Sequence, residues 1–237
     1  VGSEMCIRDR SKGTLSFTKP KLKLAVIGES CFNGSSEMVA QLATAVTTFL
    51  FNRTMMKLLG EDGVAAITII IYSQFLLNTL YIGYSMGIAP IIGFNYGNRN
   101  KIQQKRVFSI SMRFIGLASV LIFAVSMFGG SYIVRLFAND TSEVYQIAAN
   151  GFTIFSYSFL FCGLNNFTSA MFTALSNGKI SAVLSFLRTF GLLAGGILLL
   201  PRIWGITGVW LAVPVAEGIM FVVSAICLIH YRKKYSY

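Results

Sequence analysis

The fold is decided by the stretch from Val64 to Phe94, which reads VAAITIIIYSQFLLNTLYIGYSMGIAPIIGF and contains no charged residue. A helix needs roughly 20 apolar residues to cross the hydrocarbon core of a bilayer. The chain contains six apolar segments of at least this length, at residues 24–51, 64–94, 107–128, 144–175, 180–200 and 206–231. The pattern predicts an all-α, polytopic membrane protein, a bundle of six transmembrane helices.

Composition indicates a membrane protein, and the lack of catalytic motifs argues against an enzyme. Of 237 residues, 54% are hydrophobic and only 12% are charged, whereas a soluble domain is about 25% charged. The sequence has no phosphate-binding GxxxxGK[ST], no HExxH and no GxSxG motif. It contains one histidine, His230, and its four cysteines have no CxxC spacing. We therefore expect no enzymatic activity, no resident cofactor and no dedicated metal cluster.

The chain divides into a long membrane region and two short ends. We expect residues 1–21 to form an N-terminal cytoplasmic segment, of which the first ten, VGSEMCIRDR, are expected to be non-native. Residues 22–232 are predicted to form the six-helix transmembrane lobe. Residues 233–237 are predicted to be a cytoplasmic tail.

Charge distribution predicts the orientation in the membrane. The formal net charge of +11 is compatible with nucleic-acid binding, but cytoplasmic loops of membrane proteins are also rich in Lys and Arg. Sixteen of the 20 basic residues fall on one face of the predicted bundle: Arg8, Arg10, Lys12, Lys19, Lys21, Lys23, Arg99, Lys101, Lys105, Arg106, Arg113, Lys179, Arg188, Arg232, Lys233 and Lys234. This asymmetry predicts that both termini are cytoplasmic and that nucleic acid is not a partner.

Polar residues follow one face of each of the first two spans. In the first span they are Asn33, Glu37, Gln41, Thr44 and Thr48, and in the second Gln74, Asn78, Tyr81 and Ser85. Their spacing of three or four residues places each set on one side of a helix. Two interpretations remain open, because such residues line water-filled cavities but also pack helices against each other.

Two acids within the spans are candidates for cation coupling, Glu37 and Glu217. A carboxyl group in a low-dielectric region exchanges a proton or Na⁺ in a way that can change helix packing. The alternative is a carboxyl group bonded to interior Ser, Asn or backbone groups. In the fourth span, Asn165 and Asn166 offer amide oxygens that can bind a cation or a substrate, or can simply pack.

Three motifs are similar to those of multidrug and toxic compound extrusion (MATE) transporters. GIAPIIGFNYGNRN at 87–100 resembles the end of their eighth helix, and FTALSNGK at 172–179 resembles the loop after their tenth. GITGVWLAVP at 205–214 resembles the start of their twelfth. The resemblance covers nearly all of residues 22–232 and implies one lobe, helices seven to twelve, of a twelve-helix MATE transporter.

The resemblance also implies a function. Family members export cationic, amphipathic compounds in exchange for Na⁺ or H⁺, so we expect a secondary antiporter of the bacterial inner membrane. The expected partners are the lipid bilayer, a small cationic substrate and an N-terminal lobe of the same transporter. Glu37 lies near an acid found in the seventh helix of many members, which would place a Na⁺ site close to it. Asn165 stands where some members have an Asp, a departure that shifts the expected coupling role towards Glu37.

Two rival functions remain. A lipid-linked saccharide flippase of the same superfamily would need interior basic residues to bind pyrophosphate, and the basic residues here are expected near the cytoplasmic ends of the spans. A membrane subunit that does not transport is the second rival.

Overall fold

The structure is a computed structural model that describes residues 23–235 and 237, apart from the side chains at positions 26, 29, 32–37, 39 and 40. The chain forms two units that divide at Cys31. In the unit Val1–Cys31 the described part is helical from Leu24. The helix bundle and its side-chain contacts lie in the unit Phe32–Tyr237.

Every regular element in the described part of the chain is helical, which confirms the all-α prediction. The helices are α1 (Leu24–Gly97), α2 (Lys101–Arg135), α3 (Glu143–Phe155), α4 (Phe159–Ala174), α5 (Gly178–Phe186) and α6 (Gly195–Tyr235). A 3₁₀ turn, Ser156–Ser158, joins α3 to α4, and a π-helical segment, Leu187–Ala194, joins α5 to α6. Among the described residues, four stretches are long and apolar enough to cross a membrane: Gln41–Gly97, Lys101–Arg135, Glu143–Ala174 and Gly178–Tyr235.

Two of these four stretches are divided by a glycine into two arms, which accounts for the six predicted spans. Gly60 (φ 65°) and Gly205 (φ 55°) have non-helical dihedrals in the left-handed region, where a Cβ atom is disfavoured. A Cβ atom on Gly208 would overlap the Leu200 carbonyl, so the helices on either side of Gly205 pack with their backbones in contact. The breaks lie at these glycines rather than at Pro90 or Pro214, which sit inside α1 and α6.

Helix starts follow ordinary capping chemistry. The Asn100 side chain accepts a hydrogen bond from the Gln103 amide at 3.2 Å, and the Ser142 hydroxyl accepts one from the Tyr145 amide at 3.2 Å. Both bonds satisfy amide groups that have no partner within the first turn of a helix. They fix the beginnings of α2 and α3.

Buried apolar residues form two large clusters at different heights in the bundle. The first contains Met55, Ile67, Phe152, Ile197 and Trp210, among others. The second contains Ile92, Phe167, Phe172, Leu184 and Met220, among others. Between the two clusters, each of four helical stretches contributes polar residues, namely Asn78 from α1, Cys162, Asn165 and Asn166 from α4, Arg188 from the π-helical segment and Glu217 from α6. The bundle therefore has a polar layer between two apolar ones.

Candidate functional site

A buried ion pair lies at the centre of the polar layer. Arg188 donates to Glu217 Oε1 from Nε at 2.8 Å and from Nη2 at 2.6 Å. The side chains are only 23% and 6% exposed. Charged hydrogen bonds of this length are strong, and both charges need them because each would be costly to bury alone. The pair joins the π-helical segment to α6.

Two asparagines of α4 complete the bonding of this pair. Asn165 Nδ2 donates to Glu217 Oε2 at 2.7 Å and to the Glu217 carbonyl at 3.0 Å. Asn166 Oδ1 accepts a hydrogen bond from Arg188 Nη1 at 2.7 Å. One asparagine therefore binds the acid and its neighbour binds the base, which fixes α4 relative to both partners.

A thiol extends the network to α1. Cys162 Sγ donates to Asn78 Oδ1 at 2.9 Å, and it accepts longer bonds from Asn166 Nδ2 at 3.6 Å and Arg188 Nη2 at 3.8 Å. Tyr81, one turn after Asn78, donates its hydroxyl to the Phe159 carbonyl at 3.0 Å. We call Asn78, Cys162, Asn165, Asn166, Arg188 and Glu217 the polar network.

The local backbone explains how Arg188 enters this layer. It lies ten residues after Gly178, about 15 Å along a helix at 1.5 Å per residue. It also lies within an eight-residue π-helical segment, a rare geometry that is frequent at functional sites. Arg188 therefore lies well inside the span, which corrects the sequence-based placement near the cytoplasmic end.

The network carries almost no net charge. Arg188 is the only Lys or Arg between residues 23 and 237 that is not exposed, and Glu217 is the only buried acid among the described side chains. Their pairing cancels both charges. One acceptor is left over, because Asn165 Oδ1 is buried without a hydrogen-bond partner. An amide oxygen in this position can accept a bond from water or from a substrate donor, or can coordinate a cation.

The structure brings together four of the residues predicted from sequence, Asn78, Asn165, Asn166 and Glu217. Tyr81 is buried nearby, beside Cys162 in a small apolar cluster. Gln74 is half-buried and Gln41 is exposed. The side chains of Asn33 and Glu37, and with them the predicted Na⁺ site, lie outside the described residues.

Arg188 and Cys162 are the members of the network that sequence reasoning did not assign to it. The sequence did carry a signal for Arg188, because a charged residue ten positions after Gly178, the first residue of α5, lies within an apolar span. Cys162 gave no signal of its own, because an isolated cysteine in an apolar segment most often behaves as a small hydrophobic residue. The residues described contain no group of three or more His, Cys, Asp or Glu that could hold a metal ion.

Solved structures share this architecture. An outward-facing multidrug resistance MATE family transporter of the MOP superfamily matches with a TM-score of 0.85 at 18% identity, covering 97% of this chain and 52% of its own. A MOP superfamily transporter from Pyrococcus furiosus matches with a TM-score of 0.85 at 18% identity, covering 97% of this chain and 52% of its own. That transporter is described as having a binding pocket of reversed polarity, which suggests a different function. The Vibrio cholerae MATE transporter VcmN matches with 0.83 at 19% identity, covering 92% of this chain and 50% of its own. At sequence identities of 18–19%, the structural similarity shows that the fold is shared.

The chain spans about half the length of the transporters it matches. No curated protein matches the chain. The family model MatE matches residues 38–194, well over half of the sequence. The chain therefore belongs to the MATE family of multi-pass membrane transporters, and its fold is that of one lobe of such a transporter.

Proposed function

We propose that the chain acts as the C-terminal lobe of a bacterial inner-membrane antiporter. The antiporter would export cationic amphipathic compounds in exchange for Na⁺ or H⁺, by alternating access, with both termini in the cytoplasm. The observation that carries this proposal is the neutralisation of Arg188 by Glu217. Arg188 is the only basic side chain in the described interior. Because it is already paired with Glu217, this interior offers no free positive charge to repel a cation.

The first arm of α1 supplies a surface for such a cavity. Ala43, Thr47, Phe51 and Met55 recur every four residues and are buried within the lobe. Gln41 is exposed, outside this packed face. In the sequence, Glu37 precedes Gln41 by four residues, about one helical turn, and the spacing predicts the same side of the helix for both. A second lobe placed against this face would enclose a cavity that favours cations.

The polar network supplies an element that can change with cation binding. A proton or Na⁺ at Glu217 would weaken its attraction to Arg188 and compete with its bond from Asn165. Both bonds hold α4 and the π-helical segment against α6. Glu217 is therefore kept as the second coupling candidate after Glu37, with Asn165 Oδ1 as an available cation contact.

The test is cation-driven efflux of a fluorescent cationic dye by a transporter that contains this chain together with an N-terminal lobe. We expect Glu37→Gln to lower coupled efflux at least tenfold while the protein remains in the membrane. Asp140→Asn, an exposed acid, is the matched control and should leave efflux unchanged. Full coupling in the Glu37→Gln protein would remove this residue from the mechanism.

Glu217→Gln separates the two candidates for coupling. If Glu217 exchanges the cation, its substitution should abolish the dependence of efflux on the Na⁺ or H⁺ gradient. If the ion pair serves only for packing, efflux should keep its gradient dependence and decrease only with the amount of folded protein. Comparing rate per folded molecule distinguishes these results.

A buried arginine also keeps the flippase alternative open, since a guanidinium binds phosphate oxygens well. This function would require Arg188 to leave Glu217 and bind the pyrophosphate of a lipid-linked saccharide. Stabilisation of the protein by a polyprenyl-pyrophosphate saccharide, lost in Arg188→Gln, would favour it. A protein that neither exports dye nor binds such a lipid would fit the non-transporting subunit.

A further inference from the structure

A second polar site lies far from the polar network, where three helix ends meet. A cavity of about 130 Å³ lies between the end of α1, the start of α2 and the end of α6. Its lining residues are Asn95, Tyr96, Arg99, Asn100, Lys101, Gln104, Lys234 and Tyr235. Since these residues are at the ends of membrane-spanning stretches, the cavity is expected at the depth of the lipid headgroups.

The cavity is basic and has no acid nearby in sequence. Arg99, Lys101 and Lys234 contribute three positive charges, while no Asp or Glu occurs between residues 63 and 139 or after Glu217. Lys234 Nζ lies 5.4 Å from the centre of the Tyr235 ring, and Tyr235 packs against Tyr96 with their ring centres 5.7 Å apart. The aromatic residues hold one cation at the cavity wall without neutralising it.

Two details indicate a built site rather than a loose patch of charge. Gln104 is only 5% exposed, and its Oε1 is buried without a hydrogen-bond partner. Arg99 has a φ of 54°, a left-handed conformation that is unfavourable for a residue with a Cβ atom. This residue is the left-handed end of α1, closed by hydrogen bonds from the Arg99 amide to the Tyr96 carbonyl and from the Asn100 amide to the Asn95 carbonyl, both at 3.0 Å, so the helix end fixes the position of Arg99.

We propose that this cavity binds the headgroup of an anionic phospholipid, specifically phosphatidylglycerol. The three cations match its phosphodiester, and the unpartnered Gln104 oxygen needs a donor, which a hydroxyl of the glycerol headgroup supplies. Phosphatidylethanolamine fits poorly, because its ammonium group would be repelled by the same cations. Basic pockets between helix ends on the cytoplasmic side are suited to anionic headgroups. This inference does not depend on which compound is transported.

Native mass spectrometry of the full 237-residue chain, released from mild detergent, tests the proposal. With equal amounts of phosphatidylglycerol and phosphatidylethanolamine added, we expect at least tenfold more phosphatidylglycerol retained. The double variant Arg99→Gln/Lys234→Gln should lose this preference. Lys179→Gln, which removes an exposed charge expected on the same face but outside the cavity, should keep it. Equal retention of the two lipids, or equal loss in Lys179→Gln, would overturn the proposal.

The role of Gln104 has its own test. Phosphatidylmethanol has the same phosphodiester but no headgroup hydroxyl, so we expect the native chain to prefer phosphatidylglycerol to it by about threefold. Gln104→Met, which keeps the size of the side chain and removes the acceptor, should bind both lipids equally. An unchanged preference in this variant would refute the hydroxyl contact. Displacement of the bound lipid by millimolar inorganic phosphate would identify a free-phosphate site instead and overturn the assignment to a lipid.

Discussion

At the scale of the residue, Arg188 and Glu217 depend on each other. Each would be a costly isolated charge between apolar helices, and their bonds of 2.6 and 2.8 Å compensate for that cost. Removing the charge of one member should therefore destabilise the protein more than removing both charges. We expect Glu217→Gln to destabilise the protein by roughly 3 kcal/mol, because Arg188 loses its counter-charge, and Arg188→Met/Glu217→Met to recover much of that loss.

Reversible unfolding in mixed micelles measures this difference. The control is Asp140→Asn, which breaks the ion pair with Arg135 at 2.9 Å, where the side chains are 46% and 51% exposed. Water solvates those charges in either state, so no measurable change is expected. If the loss of stability in Arg188→Met/Glu217→Met equalled the sum of the losses in the single variants Arg188→Met and Glu217→Met, the two residues would not be coupled.

The same pair marks the limit of what single positions in the sequence could reveal. Glu217 was recognisable as an acid in the middle of a predicted span, and Asn165 and Asn166 as a polar pair within one. Arg188 was misplaced because its depth depends on where the helix begins and on a π-helical segment, and a 3.6-residue pattern encodes neither. The bond between positions 165 and 217 joins distant parts of the chain, so local sequence contains no signal for it.

At the scale of the element, glycines set how closely the helices approach. A Cβ atom on Gly151 of α3 would lie 2.7 Å from the Trp210 indole of α6, a rigid ring inside the first apolar cluster. We expect Gly151→Ala to destabilise the protein by about 1–3 kcal/mol through overpacking. Gly129→Ala in α2, where nothing lies within 4 Å, should be neutral or slightly stabilising because alanine favours a helix. Thermal unfolding in detergent compares the two, and equal losses would show that packing at Trp210 is not the cause.

Element positions were largely predictable, but packing faces were predictable only in part. Six apolar stretches bounded by Gly60, Gly178 and similar breaks predict the helices, because length and hydrophobicity decide whether a segment can span a bilayer. The polar face of the second span does turn inward at Asn78 and Tyr81. For the first span, Phe51 is buried and Phe49 is 63% exposed. Lipid and protein interior are equally apolar, so hydrophobicity cannot distinguish these two faces.

At the scale of the whole molecule, the first arm of α1 has one face packed in the lobe and two faces outside it. Leu42, Val46 and Phe49 form an exposed apolar face that suits lipid. Gln41 and Thr44 form an exposed polar face on another side. In a two-lobe transporter the polar face would border a water-filled cavity, and the apolar face would remain in lipid. Water access should therefore differ between two adjacent residues, Gln41 and Leu42.

Thiol labelling can measure that difference in a two-lobe transporter whose native cysteines have been replaced. We expect Gln41→Cys to react with a water-soluble maleimide at least tenfold faster than Leu42→Cys, because the reacting thiolate forms only in contact with water. A transported cationic compound, added in excess, should slow labelling at position 41 and leave position 42 unaffected. Equal rates at both positions would mean that this face is lipid-exposed or sealed by packing. The polar face of Gln41 and Thr44 would then serve helix association, and the proposed cavity would have to lie elsewhere.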